Sequence, residues 1–473
     1  MNKTRLLFAL TGAAAGTLAS AQEQPNIVFV LADDLGWGDL SCYGQQRFTT
    51  PNIDSLATHG LRFTQCYSGT TVSAPSRSCL ITGTHSGHTA IRGNLELAPE
   101  GQFPLPESSQ TLFHDFKAAG YTTGAFGKWG LGFIGSTGDP QRQGVDRFFG
   151  YNCQLLAHSY YPDHLWDNAR RIELDTDLPY GEGTYAPDRI HREAVEWLRD
   201  AARSRQPFFL WYPTTIPHAE LIVPEDSLIR RYRGAFPETP FHGVDEGIFF
   251  RKGGYCSQPE PHATFAAMVA RLDAYVGDLI RELKELGVYD NTLIIFSSDN
   301  GPHKEGGADP DFFDSNGPWR GYKRDVYEGG IRVPMIVSWP GHIAPGSETD
   351  FMCSFWDLMP TFRDLTGAAS PEGMDGVSLL PLLEGRDGQV EHEYLYFEFQ
   401  ELGGRQAVRE GPWKLVHLDI RSDAPRYELY NLDSDPGETA DLSARYPDVV
   451  ARLQALMGSA HIPHPDFPVL KGE

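Results

Sequence analysis

Four short apolar segments of this chain each end just before polar or charged side chains. The segment NIVFVLA precedes Asp33 and Asp34, and TLIIFSS precedes Asp299 and Asn300. Apolar residues at helical spacing lie between the segments, most clearly over residues 265–286. Strands that alternate with such helices form a mainly parallel sheet covered on both faces. The pattern therefore predicts a layered α/β/α domain with a mostly parallel sheet.

The other two segments, YTTGAF and PFFLWYPTTIP, lead to Lys128 and His218. Ligands of parallel sheets bind beyond the carboxyl ends of the strands, so we expect all these polar groups at one rim. Taken singly, each group is also typical of a turn or a surface position. Together, three carboxylates and an amide oxygen form a hard-oxygen set suited to calcium or magnesium, and the lack of clustered Cys and His disfavours zinc.

The first residues have the pattern of an export signal. Lys3 and Arg5 precede an apolar run, and Ala19-Ser20-Ala21 forms a small-residue cleavage site. We predict a signal peptide over residues 1–21 and a periplasmic or secreted location. The run is too short and weakly apolar for a stable membrane anchor.

The overall charge limits the class of partner. The chain has 473 residues, 40 basic against 63 acidic, and a formal net charge of −23. Nucleic-acid affinity comes mostly from cationic contacts to phosphate, so nucleic acid is not expected as a partner. An anionic substrate would need a locally positive pocket.

The pattern changes after about residue 385. The segments YLYFEF, RQAVREGPWKLVHL and RYELYNL are short alternating strands, and a helix follows with Pro447 in its first turn and Gly458 just past its end. We predict a large catalytic domain over residues 22–385 and a smaller α+β domain over residues 386–473, with an antiparallel sheet and a closing helix.

The segment TTVSAPSRSCLITG places Ser73 at what looks like a helix start, four residues before Arg77. A serine hydroxyl is a poor nucleophile unless a base activates it, and no histidine lies close in sequence. The activating chemistry must therefore come from elsewhere in the chain.

The run from Ser73 to Arg77, followed by Thr82-Gly83, resembles the Cys/Ser-x-Pro-Ser-Arg and Thr-Gly motif of type I sulfatases, in the arylsulfatase family of the alkaline-phosphatase-like superfamily. GKWGLG, SSDNG and YKRDVYEGGIRVP also match, and all stand in the family's order. The resemblance extends from about Pro25 to the C-terminus. It implies the alkaline-phosphatase-like fold and hydrolysis of sulfate esters.

The resemblance implies that Ser73 is oxidised to formylglycine, whose hydrated form is the nucleophile. This would explain the missing base, since a diol hydroxyl beside a divalent cation loses its proton far more easily than an alcohol. By the same resemblance, the metal ligands of a Ca²⁺ ion are residue 73 together with Asp33, Asp34, Asp299 and Asn300.

The remaining catalytic roles are also implied by the resemblance. Arg77 would hold the diol, and Lys128 and Lys323 would contact the sulfate oxygens. His218 or Lys323 would give a proton to the leaving alcohol. The two lysines would supply the positive charge that the acidic protein otherwise lacks.

One position departs from the family pattern. Many members read Gly-Lys-Trp-His-Leu-Gly, and here the histidine position is Gly130. His303 and His158 are the candidates to replace it, with His303 ranked first because it lies just beyond two predicted metal ligands. Both also fit a role in substrate binding.

Three further segments, HSGHTAIRGN, AHSYYPDHLW and GPHKEGG, resemble bacterial glycan sulfatases, particularly those acting on galactose or N-acetylgalactosamine sulfates. Arg92 and Asn94 join His158 and His303 as expected sugar contacts, although Asn94 also fits a simple turn. A serine at position 73 in place of cysteine implies maturation by an anaerobic iron–sulfur radical enzyme before export.

Two other functions remain open from the sequence. A phosphatase or phosphonate hydrolase of the same superfamily would use an unmodified nucleophile, usually with two zinc ions. A catalytically silent glycan-binding protein would result if Ser73 were never oxidised.

Overall fold

The computed structural model describes residues 24–369 and 373–473, so the predicted signal peptide lies outside the described residues. The chain contains the following strands: β1 (Asn26–Ala32), β2 (Leu61–Phe63), β3 (Cys66–Tyr67), β4 (Glu96–Leu97), β5 (Gly101–Gln102), β6 (Thr122–Lys128), β7 (Arg147–Tyr151), β8 (His164–Asp167), β9 (Arg170–Glu173), β10 (Phe208–Pro213), β11 (Thr292–Ser298), β12 (Met335–Ser338), β13 (Ser347–Thr349), β14 (Cys353–Ser354), β15 (Leu395–Phe399), β16 (Arg405–Glu410), β17 (Trp413–Leu418) and β18 (Arg426–Asn431).

The helices are α1 (Pro51–Thr58), α2 (Ser73–Thr82), α3 (Leu112–Ala118), α4 (Ala186–Ser204), α5 (Ser227–Tyr232), α6 (Pro261–Glu285), α7 (Pro310–Phe313), α8 (Glu328–Ile331), α9 (Leu358–Thr366), α10 (Leu380–Leu383) and α11 (Pro447–Ala460). In the part of the chain that the structure describes, no helix combines the length and apolar character needed to cross a membrane.

The main sheet has ten strands in the order β13-β2-β12-β11-β1-β10-β6-β7-β8-β9. The five central strands, from β11 to β7, are parallel, as the alternation of strands and helices predicted. Both edges of the sheet also contain antiparallel pairs, β11 with β12 on one side and β7 with β8 on the other. The short edge strands carry too little apolar pattern to be predicted from sequence.

The two faces of the sheet are covered because successive side chains of a strand point to opposite faces. In β1, Val28 and Val30 pack in one core cluster with residues of α4 and α6. Ile27 and Phe29 pack in a second cluster with residues of α2, α3 and α9. This confirms the predicted α/β/α layering.

A separate antiparallel sheet, in the order β15-β16-β17-β18, lies near the C-terminus, as predicted. The helix α11 closes the segment and begins at Pro447, but it continues through Gly458 to Ala460. The prediction that Gly458 lies past the helix end was wrong, since the chain leaves the helix only at His461, in extended backbone. The domain boundary at residue 385 stays a prediction.

Candidate active site

The four strands that were predicted to end in polar groups lie side by side, in the order β11-β1-β10-β6. Because they are parallel, their carboxyl ends meet at one edge of the sheet. Asp299 follows β11, Asp33 follows β1, His218 lies five residues beyond β10, and Lys128 is the last residue of β6. All four side chains are buried at that edge.

Ser73 is the first residue of α2 and is buried beside these groups. Its hydroxyl donates to Oδ1 of Asp33 at 2.9 Å. The Lys128 ammonium donates to Oδ2 of the same carboxylate at 2.7 Å and lies 3.3 Å from the Ser73 oxygen. Ser73 is thus held between a carboxylate and an ammonium.

Arg77 lies one helical turn after Ser73, so the start of α2 carries both side chains into the site. Its Nε and Nη2 donate to Oδ2 of Asp299 at 3.0 and 2.8 Å, and Nη1 donates to the carbonyl of Lys128 at 2.6 Å. The guanidinium is fully buried, so these bonds fix its position.

The carboxylates fit a hard divalent cation. Asp33, Asp34 and Asp299 each offer an oxygen within 4.8 Å of the others, and all three are buried. Oδ1 of Asn300 is also buried and has no hydrogen-bond partner among the described residues. Three carboxylates and a free amide oxygen form a ligand set of the kind that calcium or magnesium takes.

Burial and the neighbouring charges shift the pKa values of the clustered aspartates in different directions. Burial disfavours an ionised Asp33, but the positive charges around it, the Lys128 ammonium foremost and the Arg77 guanidinium with it, outweigh burial and hold the pKa of this carboxyl well below its usual range. Burial and the nearby Asp33 raise the pKa of Asp299 to about 7. Several carboxylates packed together in this way favour a bound cation.

Lys323 reaches the same edge from the segment before α8. Its ammonium donates to Oδ2 of Asp34 at 2.8 Å and lies 2.7 Å from Nε2 of His218. It also donates to Oε2 of Glu305 at 3.2 Å. Burial lowers the pKa of Lys323, but the charges of Asp34 and Glu305 outweigh burial and raise it.

The sequence interpretation missed Glu305, which stands two residues after His303 in the GPHKEGG segment. Besides Lys323, it forms an ion pair with Arg324. Its pKa is well below the usual range because the surrounding positive charges outweigh burial. Only its position beside His303 could have suggested it.

Three histidine rings stack at this point. The ring of His218 lies 4.8 Å from that of His158 and 5.1 Å from that of His303. Burial and the charge of Lys323 hold the pKa of His218 well below its usual value. His158 keeps part of its surface accessible, yet burial and the charges of both lysines lower its pKa to about 3.

Both ring nitrogens of His303 are engaged. Nε2 lies 3.2 Å from the carbonyl of Pro217, and Nδ1 accepts from the backbone N–H of Glu305 at 3.2 Å. These bonds argue against the predicted sugar contact and favour a role in holding the segment that carries His218.

The two remaining predicted sugar contacts lie apart from each other. Asn94 accepts a hydrogen bond from the backbone N–H of Ala74 at 3.1 Å, directly beside Ser73. Arg92 is buried and donates to Oε1 of Glu398 at 2.9 Å and to the carbonyl of Thr89 at 3.0 Å. Arg92 therefore ties the segment after α2 to β15, which argues against its predicted contact with sugar.

Comparisons with known proteins agree with this architecture. The profile of the sulfatase family matches residues 25–368, and the profile of the C-terminal part of N-sulphoglucosamine sulphohydrolase matches residues 317–461. Human arylsulfatase A is 34% identical, covering 95% of this chain and 89% of its own length. The N-acetylgalactosamine-6-O-sulfatase of Bacteroides thetaiotaomicron is 29% identical, covering 97% of this chain and 99% of its own.

Among solved structures, Ps i-CgsB in complex with k-i-k-neocarrahexaose aligns with a TM-score of 0.77 and 27% identity, covering 95% of both chains. The fold is therefore that of the alkaline-phosphatase-like superfamily. The chain belongs to the sulfatase family, as the motifs around Ser73 predicted, and it is a sulfatase that hydrolyses sulfate esters of carbohydrates.

Proposed function

We propose that this sulfatase removes sulfate from a galactose or N-acetylgalactosamine sulfate, with residue 73 as formylglycine and Ca²⁺ as the metal. One observation carries the proposal: the Ser73 hydroxyl is buried at the start of α2 between Asp33 and Lys128. No neutral histidine contacts it as a base within the described residues, so an unmodified serine would lack an activating group.

Asp33, Asp34, Asp299 and Asn300 would hold the cation, and residue 73 would complete the set. When bound, the ion supplies positive charge that stabilises an oxyanion, and formylglycine supplies a hydrated aldehyde as nucleophile. The unpartnered Oδ1 of Asn300 and the crowded carboxylates support this assignment.

The chain's own cations would bind and orient the sulfate group. The Lys128 ammonium already faces the oxygen of residue 73, and Arg77 fixes both Asp299 and the end of β6. Lys323 lies next to Asp34, the other of the two paired aspartates. The burial of these groups excludes water, so their interactions with an anion are stronger than in solvent.

The proton for the leaving alcohol would reside on Lys323. His218 places Nδ1 2.5 Å from the carbonyl of Ala219, so Nδ1 carries hydrogen and donates. Nε2 then accepts from Lys323 at 2.7 Å. Of the two donors that the sequence left open, the hydrogen-bond pattern favours Lys323, with His218 as its orienting partner.

The sugar assignment is supported by the relatives. The Bacteroides thetaiotaomicron protein is named as an N-acetylgalactosamine-6-O-sulfatase, and its whole length aligns with this chain. We extend the proposal to the export and maturation of the chain: a signal peptide over residues 1–21, a periplasmic or secreted location, and oxidation of Ser73 by an anaerobic radical enzyme before export.

A substrate panel tests the proposal. The chain, produced together with its maturation enzyme, is incubated with the 4- and 6-sulfates of galactose, N-acetylgalactosamine and glucose, and with the matching phosphates. We expect the fastest sulfate release from a galacto-configured sugar, because a wrong epimer leaves polar groups of the site unpaired. Faster phosphate release would favour the phosphatase alternative, and sugar binding without any turnover would favour the silent glycan-binding protein.

A further inference from the structure

A group of three buried amide side chains lies next to Gly130 and has no assigned role. Gln102, Asn152 and Gln154 are each at most 2% exposed. Four of their amide atoms have no hydrogen-bond partner in the described parts of the chain: Nε2 of Gln102, Oδ1 of Asn152, and both Nε2 and Oε1 of Gln154. A buried polar atom without a partner costs about 1–3 kcal/mol, so a group with four such atoms indicates a missing polar partner.

The position of Gln154 is set by the absence of a side chain at Gly130. A β-carbon added to Gly130 would lie 2.2 Å from Nε2 of Gln154. Gly130 also has a φ of +71°, which glycine adopts without strain. The carboxamide of Gln154 therefore occupies the space that a side chain at position 130 would take, two residues after Lys128.

Contacts connect this amide group to both sides of Ser73. On one side, Lys128 lies 3.3 Å from the Ser73 oxygen and leads directly to Gly130. On the other, Asn94 binds the backbone of Ala74 and leads into the β4–β5 pair, where Gln102 accepts from the backbone N–H of Gln154 at 3.2 Å. The segments that carry Gly130 and Gln102 thus each follow a residue that contacts Ser73 or Ala74.

The chemistry of the unpartnered atoms selects the kind of group they would bind. Sulfate oxygens only accept hydrogen bonds, so sulfate could satisfy Nε2 of Gln154 but not Oε1. Sugar hydroxyl groups and an acetamido group both donate and accept, and they satisfy an amide in either orientation.

We propose that Gln154, supported by Gln102 and Asn152, is a specificity-determining residue that binds hydroxyl or acetamido groups of the sugar next to the sulfate ester. This inference rests on the proposed function and names the residue that recognises the sugar.

The test compares Gln154→Met with the wild type on two classes of substrate. Methionine keeps the length of the side chain and removes both hydrogen-bonding atoms. We expect kcat/KM on galactose 6-sulfate and N-acetylgalactosamine 6-sulfate to fall about 10- to 100-fold, mostly through KM, because uncharged hydrogen bonds to the substrate are lost. On 4-nitrophenyl sulfate, which has no sugar hydroxyl groups, the loss should be at least tenfold smaller. The exposed Gln141→Met is the matched control.

A second variant guards against misfolding. Gln154→Asn leaves the backbone at Gly130 unchanged and keeps the amide but withdraws it by one methylene, so it should give the same selective loss on the sugars. Equal losses on sugar and aryl sulfates in both variants, accompanied by a lower Tm, would show that the amides only hold structural water and would overturn the inference. A failure of both variants to fold would do the same, since it would make the amide group structural.

Sulfate release by the wild-type chain tests the proposed function independently of the variants. If the matured wild-type chain releases sulfate from neither sugar sulfate, the proposed substrate class fails whatever the variants do. If it cleaves them and Gln154→Met shows no selective loss, only the inference about Gln154 fails.

Discussion

The Lys323 ammonium lies 2.7 Å from Nε2 of His218, and Nδ1 of the same ring lies 2.5 Å from the carbonyl of Ala219. A neutral imidazole has one donor and one acceptor nitrogen. The carbonyl contact uses the donor, so Nε2 must accept from the lysine. The hydrogen shared by the pair therefore belongs to Lys323, and His218 fixes the direction in which that N–H bond points.

The first prediction concerns this pair. His218→Ala should slow the cleavage of esters with poor leaving groups most, because general acid catalysis contributes about 10²–10⁴-fold where the departing oxygen needs a proton. The measurement is kcat/KM across a series of aryl sulfates whose phenols differ in pKa. We expect a steeper dependence on leaving-group pKa in the variant than in the wild type.

The exposed His59→Ala is the control, and it should keep the wild-type slope. An unchanged slope in His218→Ala would show that His218 does not assist protonation of the leaving group.

The second prediction concerns the carboxylate cluster. A ligand that binds only the folded state raises stability by about 2.7 kcal/mol at one hundred times its Kd. Calcium should therefore raise the Tm of the wild type, and Asp33→Ala or Asp299→Ala should abolish both this shift and sulfate release. The exposed Asp423→Ala should retain both.

Calcium-dependent stabilisation that survives both substitutions would place the ion at another site. Full sulfatase activity after chelation would show that catalysis does not need the metal ion.

The third prediction tests whether Arg92 stabilises the fold or contacts the sugar. This buried guanidinium pairs with the buried Glu398, and removal of one partner of a buried ion pair costs about 3–5 kcal/mol. Arg92→Met should therefore lower the free energy of unfolding in urea by that amount, while KM for the sugar sulfate stays near the wild-type value. A stable variant with a raised KM would restore the predicted sugar contact.

The strand ends could be predicted from sequence because the rule behind them is local. An apolar segment followed by Asp33 or Asp299 signals a strand and its carboxyl end, and parallel pairing then brings such ends together. The structure places the four predicted strands next to one another. The motif around Ser73 added the helix start and the arginine one turn later.

The rest depended on distant contacts. Arg92 looked free in a polar segment, but its partner Glu398 lies 306 positions away. Gln154 carries no motif, and the space that its carboxamide fills exists only because Gly130 lacks a side chain. Glu305 follows a predicted residue, yet only the fold brings it to Lys323.

The fourth prediction is a pH dependence of stability at Glu220, a carboxyl that is not among the proposed metal ligands. Burial raises its pKa from 4.5 to about 7, although Tyr180 and the backbone N–H groups of Tyr160 and Cys256 oppose this. With the folded pKa above the unfolded one, the folded state binds more protons between these values. The contribution of Glu220 to the free energy of unfolding is therefore fully present below about pH 4.5, and it is lost as the pH rises towards 7.

The raised pKa of Glu220 corresponds to a loss of about 3 kcal/mol in the free energy of unfolding over this pH range. Glu220→Gln, the neutral counterpart, should lose less unfolding free energy than the wild type between pH 5 and pH 8, as measured by urea denaturation. An identical decline in both proteins would show that Glu220 is ionised in the folded state throughout this range.

The central claim is that residue 73 acts as an oxidised serine in a sulfate-ester hydrolase. Mass spectrometry of the peptide that carries residue 73 tests it most directly, on chain produced with and without the radical maturation enzyme. Oxidation of the alcohol to an aldehyde removes two hydrogens, so we expect a peptide about 2 Da lighter, in a fraction that rises in proportion to sulfate release. Full sulfatase activity in chain whose residue 73 is entirely unmodified serine would contradict the account.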